Sequence, residues 1–250
     1  MELFLFPAGV GIASVAMTIG IGGGILWMPL LILAYGVPPQ EAVSISLMIQ
    51  VAGMGSGSLA YSKVAHVEKR LTGILFLVAL PGIVLGSLLT VKLPENQVNL
   101  ALGAMSLILA LVFISGREEL SAQGLYRFDK KKVAQILPIP AFFGLLMGFL
   151  SVGVGEWLIP SLKNKLNMEM TGAVATVIHL MFLLSLVGAM SHGIFSANLN
   201  WGYFFWGALG AVCGGQIAPR FAVKVSDRLL KEMFVYLMTL TGIHLIFHSI

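Results

Sequence analysis

Glu156 lies in the stretch GVGEWLIP, inside an apolar run without lysine or arginine from residue 133 to 162. A carboxylate at the centre of a membrane helix costs about 3 kcal/mol on insertion scales, so a function or a partner has to offset it. One reading is proton coupling, in which the carboxylate takes up a proton as an anion binds and so relieves their repulsion. The other is a fixed structural acid near the interface or at a half-helix N-terminus. Ser46, Gln50, Gly53 and Gly57 follow at helical spacings of four, three and four. They make one polar, small-residue stripe, which suits hydrogen bonding to an oxyanion or tight helix packing. Thr171, Ala175 and His179 form a second face. His179 there is either a proton carrier or a hydrogen-bonding partner for a neighbouring helix. His66, His192, His244 and His248 fall near the ends of apolar runs without metal-ligand spacing, so neither a metal site nor a cofactor is expected. GMGSGS at 53–58 lacks the surroundings of a nucleophile elbow, and an enzyme is not expected.

The elements that must position these residues are membrane helices. The chain has 250 residues, 58% hydrophobic and 10% charged, with a mean hydropathy of +0.94. A soluble domain is near half apolar and a quarter charged. Runs free of lysine and arginine cover 1–62, 71–91, 93–116, 133–162, 166–219 and 232–250, which divide into about eight hydrophobic segments. They are continuous and leucine-rich rather than alternating, which excludes a barrel. The net charge of +4 comes from basic residues in short loops, so topology accounts for it and nucleic acid is not expected as a partner. The one cysteine, Cys213, lies in an apolar run and is expected to pack. The N-terminus MELFLFP lacks a basic region and a cleavage site, so the first segment is expected to remain in the mature protein.

Two segments break the pattern with glycine: GIGGGILWMP at 20–29 and GVGEWLIP at 153–160. A shift of 131 positions lays Gly22, Gly24 and Pro29 on Gly153, Gly155 and Pro160, and Ala42-Val43 on Ala173-Val174. Each half then reads as a glycine-broken segment (2–35; 137–162) followed by three spans, at 42–62, 71–91 and 97–116, then 171–191, 199–219 and 232–249. Repeat 1 covers 1–116, a cytoplasmic linker 117–136 and repeat 2 137–250.

If all eight segments cross, eight basic residues fall on one side and seven on the other. If each glycine-broken segment returns to the side it entered, fourteen of the fifteen lie inside and only Lys92 outside. The second arrangement has the expected positive-inside bias and turns the repeats into an inverted pair. The fold expected is therefore an all-α polytopic membrane protein of two inverted repeats, each a re-entrant segment plus three transmembrane helices. Peptide groups at the breaks cannot face hydrocarbon, so they line protein or a wet cavity, where half-helix N-termini could hold an anion. Close helix packing through small residues is the competing account of the same glycines.

GIGGGILWMPLL at 20–31, VPPQEAV at 37–43, KVAHVEKR at 63–70 and the GxxxG of the third segment, with a weaker second copy, resemble the sulfite exporter TauE/SafE family along essentially the whole chain. The resemblance implies a permease of a prokaryotic inner membrane for small sulfur-containing anions such as sulfite or sulfonates, proton-coupled in some members. GVGEWLIP departs from the family pattern, being poorer in glycine and carrying Glu156. The expected site comprises Gly22, Gly23, Gly24, Ser46, Gln50, Gly153, Gly155 and His179 for a small anionic solute, with Glu156 for coupling to protons. An anion channel, a membrane assembly factor and an intramembrane enzyme are the rival readings. Substrate, direction and homo-oligomerisation stay open on sequence alone.

Overall fold

The computed structural model describes residues 2–115, 128–195, 199–221, 235–236, 239–240 and 242–247, and every regular element among them is helical. A 3-10 turn (Glu2–Phe4) leads into α1 (Leu5–Ile19). After the first break come α2 (Gly24–Pro29) and a π-helical turn (Leu30–Ala34). The next helices are α3 (Pro39–Tyr61), α4 (Lys69–Lys92) and α5 (Glu95–Ser115). The second half has a short α6 (Lys130–Ala134), α7 (Pro138–Leu150), the second break, α8 (Gly155–Leu166), α9 (Met170–Phe195) and α10 (Trp201–Phe221). Among the described residues, five stretches are long and apolar enough to cross a membrane: Glu2–Ile19, Pro39–Tyr61, Lys69–Lys92, Lys130–Leu150 and Met170–Gly193.

Within the segments expected at 42–62, 71–91, 97–116, 171–191 and 199–219, helices occupy 42–61, 71–91, 97–115, 171–191 and 201–219. The second hairpin runs on to Leu166 rather than stopping at 162, until Asn167 ends it in the left-handed conformation (φ 53°). Much of the last expected span (232–249) and of the linker lies outside the described residues.

Side-chain pairs fix the directions of the helices. Ile49, Gly53 and Gly57 of α3 meet Gly207, Ala211 and Gly215 of α10 in that order, so these helices run parallel. Gly9 of α1 meets Gly207 and Gly210, Gly214 packs on Ala13, and Thr18 donates to Ala218 O at 3.3 Å, so α1 is parallel to both. In the other half Gly144 and Gly148 of α7 lie on Ala79 and Ile83 of α4, again parallel. Glu68 N–H donates to Thr176 Oγ1, and Gly188 meets Ile83, which makes α9 parallel to α4. Between the halves the order reverses. Ser44, Leu47, Gly55 and Ser58 of α3 meet His192, Gly188, Phe182 and His179 of α9, so α3 and α9 are antiparallel. The glycines at these crossings let backbones approach, as small residues do between membrane helices.

Each glycine-broken segment doubles back. α1 and α3 are parallel, and Tyr35 at the end of the π-helical turn meets Tyr203 (centroids 5.4 Å apart) where the Glu2 carboxylate lies against Gly202. Residues 2 and 35 are therefore at the same end of the molecule. Phe143 stacks on Trp157 at 4.8 Å and 16°, which lays α8 back along α7. Basic residues gather by end as well. Arg70 sits over Phe128 at 4.4 Å, two residues before Lys130, and Lys165 Nζ donates to Gln135 O at 3.4 Å, gathering basic residues near the start of α4 and of α9. Opposite, Glu41 accepts from Asn200 N–H at 2.9 Å, and Gln40 donates to Leu93 O beside Lys92.

The two breaks cross each other. α1 ends in the left-handed Gly20 (φ 72°), whose N–H bonds Ala16 O. α7 ends in Ser151 (φ 58°), whose N–H bonds Met147 O at 2.9 Å. These two residues correspond at the shift of 131. The backbones touch at Gly22 and Gly153, where a Cβ on Gly22 would stand 2.6 Å from Gly153 Cα. A Cβ on Gly24 would collide with Ser151 O, and one on Gly155 with Gly20 O, the same contact in each copy. Overpacking against backbone cannot be relieved by rotating a side chain.

Gly22→Ala and Gly153→Ala are each expected to cost roughly 1–3 kcal/mol or more of stability, read as a lowered thermal midpoint in detergent. Gly23→Ala, whose nearest neighbour would be 3.6 Å away, is expected to match the wild-type midpoint.

Candidate functional site

α3 supplies two of the site's side chains. Ser46 and Gln50 are one helical turn apart and face the second break, where Ser151 is fully buried. Gln50 Nε2 donates to Ser151 Oγ at 2.7 Å, and the Ser46 and Ser151 hydroxyls are 3.0 Å apart. Gln50 is itself buried, and its Oε1 has no hydrogen-bond partner. Buried polar atoms are rarely left so, since each costs about 1–3 kcal/mol.

Glu156 enters from the first turn of α8. Its Oε1 accepts the N–H of Gly22 at 3.1 Å, a bond from one break to the other, while Oε2 is buried without a partner. The N-terminal turn of α8 supplies favourable dipole potential for this carboxylate. Next to it the Trp157 indole, stacked on Phe143, has its N–H buried and unpartnered.

Gly22, Gly24, Ser46, Gln50, Gly153, Gly155 and Glu156 therefore come together where the breaks cross. Gly23 lies beside them, with a Cβ position 3.9 Å from Gln50 Cγ. His179 does not join them. It pairs with Ser58 Oγ at 2.6 Å, eight residues and so about 12 Å along α3 from Gln50, in the helix-to-helix role.

Two residues of this region were not legible as such. Ser151 follows a leucine-rich run and precedes the glycines, and nothing in its local sequence marks a left-handed serine. His192, expected near a span end, is buried because α9 continues to Phe195. Its Nε2 is 2.9 Å from Gly148 O and its Nδ1 3.1 Å from Ser44 Oγ. The duplication was the available signal. At the shift of 131 His192 corresponds to Tyr61 and Gly148 to Met17, and Tyr61 donates to Met17 O at 2.8 Å. In both copies a long side chain of the following span caps a carbonyl that the ending helix leaves open. Cys213, expected to pack, is exposed, since α10 buries the opposite face through Gly207, Ala211 and Gly215.

Chemically, the crossing offers backbone N–H groups, an amide and hydroxyls to an oxyanion, with one carboxylate able to hold a proton. Among the described residues no group of His, Cys, Asp or Glu could hold a metal ion.

The family model described as Sulfite exporter TauE/SafE matches residues 5–245. The chain is 24% identical to Probable membrane transporter protein YunE of Bacillus subtilis (strain 168), over 99% of this chain and 98% of that protein. It is also 24% identical to Probable membrane transporter protein ORF9 of Sinorhizobium sp, over 97% and 91%. A Probable membrane transporter protein of Xylella fastidiosa (strain 9a5c) is 23% identical over 92% and 89%. No solved structure matches. With its helical architecture, its membrane-length apolar helices and a family match along nearly the whole chain, the protein belongs to the TauE/SafE family of membrane transporters.

Proposed function

We propose that the chain is a secondary permease for a small anion, best matched by a sulfur oxyanion or organosulfonate such as sulfite, working in the inner membrane of a prokaryote with Glu156 coupling transport to protons. The observation that carries this reading is the bond from Gly22 N–H to Glu156 Oε1. A carboxylate oxygen already occupies the backbone donor of one break, so the crossing has the donor chemistry an oxyanion needs. When Glu156 takes up a proton its hold on Gly22 N–H weakens, because a neutral carboxyl accepts more feebly than a carboxylate. A substrate oxygen can then take that donor without facing a negative charge. Gln50 and Ser46 add neutral donors from the side, and the site attracts an anion without a permanent cation that would hold it too tightly to release.

The topology we infer is the inverted one. Its support is the antiparallel pairing of α3 with α9, the return of each broken segment to its starting end, and the gathering of Lys69, Arg70 and Lys165 at one end with Glu2 and Glu41 at the other. The basic end would then be cytoplasmic. The sulfite assignment comes from the family match and from the donor set, which fits any small oxyanion.

In proteoliposomes, wild-type sulfite flux is expected to respond to a pH gradient. Glu156→Gln keeps an oxygen for Gly22 N–H but cannot titrate. It is expected to retain sulfite binding and to lose most of the response to the gradient. Unchanged flux and pH dependence in that variant would make Glu156 a structural acid only.

Topology is read by cysteine labelling in a Cys213→Ser background. Lys165→Cys and Ser62→Cys, both at exposed positions, are expected to react from the cytoplasmic side and Gln97→Cys from the outside. Labelling of Lys165→Cys from outside would mean that the second broken segment crosses the bilayer.

A further inference from the structure

The duplication supplies a control within one chain. At the shift of 131, Ser46 and Gln50 correspond to Val177 and Met181, and Ser151 corresponds to Gly20. Three polar groups converge on one side of the crossing. Their counterparts on the other side are two apolar side chains and a glycine, with Met181 Cε and Sδ lying against Gly153 and Gly155. The polar set is thus an addition to the shared scaffold and not a requirement of it.

Ser151 is the odd member. A serine at φ 58° carries strain that a glycine would not, and the same fold position in the other repeat is a glycine at φ 72°. What the chain retains by keeping serine there is the hydroxyl, fully buried between the Gln50 amide (2.7 Å) and the Ser46 hydroxyl (3.0 Å). A hydroxyl oxygen that can accept from an amide N–H and from a second hydroxyl occupies the position that one oxygen of a bound oxyanion would take. The network is also incomplete as packing, because Gln50 Oε1 on the same amide is buried and unpartnered.

We propose that Ser151 is a specificity-determining residue of the transport site, its hydroxyl standing in for a substrate oxygen between Gln50 and Ser46 until the substrate displaces it. This rests on the anion-permease reading above. The site then selects a ligand with an oxygen compact enough to fit the place of a serine hydroxyl, a description met by sulfite and by small sulfonates. Removing the stand-in removes a competitor for Gln50 and Ser46.

The test is sulfite titration, by calorimetry, of the purified full chain in detergent, comparing wild type with Ser151→Ala and Ser151→Gly. Both variants lack the hydroxyl and are expected to bind sulfite about tenfold more tightly, the factor for losing a competitor held by ordinary hydrogen bonds. Their thermal midpoints are expected to differ, glycine above alanine, since only glycine relieves the left-handed strain. Ser151→Gly is expected to fold because Gly20 already holds the equivalent position. Sulfite affinity unchanged or weakened in both variants, or affinity that follows the order of the midpoints, overturns the proposal. Wild-type protein that binds neither sulfite nor methanesulfonate overturns the permease reading, and the role of Ser151 with it. Binding by wild type without tightening in the variants overturns the role of Ser151 alone.

Discussion

A chain that stops being helical inside an apolar solvent exposes peptide groups that nothing in that solvent can satisfy. Here two such interruptions are laid across each other, so that each supplies the polar and steric surroundings of the other. Gly22 lies on Gly153, the carbonyl of each left-handed residue sits on a glycine of the opposite break, and Gly22 N–H finds the Glu156 carboxylate. This mutual cover constrains the rest. It requires two breaks at matching depth, and Gly22, Gly24 and Pro29 recur as Gly153, Gly155 and Pro160. It requires α3 and α9 to hold them, which they do with Gln50 on Ser151 and Met181 where Gly22 and Gly153 touch.

The two broken segments share backbone contacts but not their chemistry. Gln50, Ser46, Ser151 and Glu156 stand where the opposite copy has Met181, Val177, Gly20 and Ile25. The same backbone contacts occur at both breaks, while the hydrogen-bonding groups concentrate around one. A single anion between two pseudo-equivalent breaks would be held mainly from the polar side, which favours one bound orientation. The apolar side, with Met181, offers bulk that can shift without losing a hydrogen bond.

Much of this was legible in advance because glycine at a buried, sharply turning position has few substitutes. The spacing of Gly22, Gly24 and Pro29, repeated at 131, located both breaks, and the turn-by-turn spacing of Ser46 and Gln50 put them on one face of a helix. Glu156 was conspicuous because charge is rare in such a chain. What failed to register has physical reasons too. Ser151 adopts a conformation that serine seldom takes, so its residue type carries no hint of the turn. His192 was placed at a span end because apolar composition fades before the helix does: α9 runs to Phe195, and a histidine with partners on both ring nitrogens can be buried where hydropathy expects an exit. His179 lies deep in its helix, but depth along a helix does not fix which neighbour a side chain meets. It meets Ser58.

The contacts also bear on how access could alternate. α1 packs backbone to backbone on α10, far along the chain, and α7 does the same on α4. α3 joins α10 through Gly53, Gly57 and Gly215, while α9 joins α4 through Thr176 and Gly188. Interlocked glycine seams resist sliding, because any shift drives a backbone into its neighbour. The units held together by such seams are therefore α1, α3 and α10 on one side and α4 and α7 on the other, with α9 joined to α4 through Thr176 and Ile83. Neither is a repeat. What joins them is the antiparallel pairing of α3 and α9, made by the histidine–serine hydrogen bonds and the Phe182 ring against Gly55, together with the crossed breaks. Side-chain contacts of that kind can exchange partners over small displacements. If access to the site alternates across the pairing of α3 and α9, the boundary would pass through the place where the breaks meet, and opening it would separate Gly22 from Glu156.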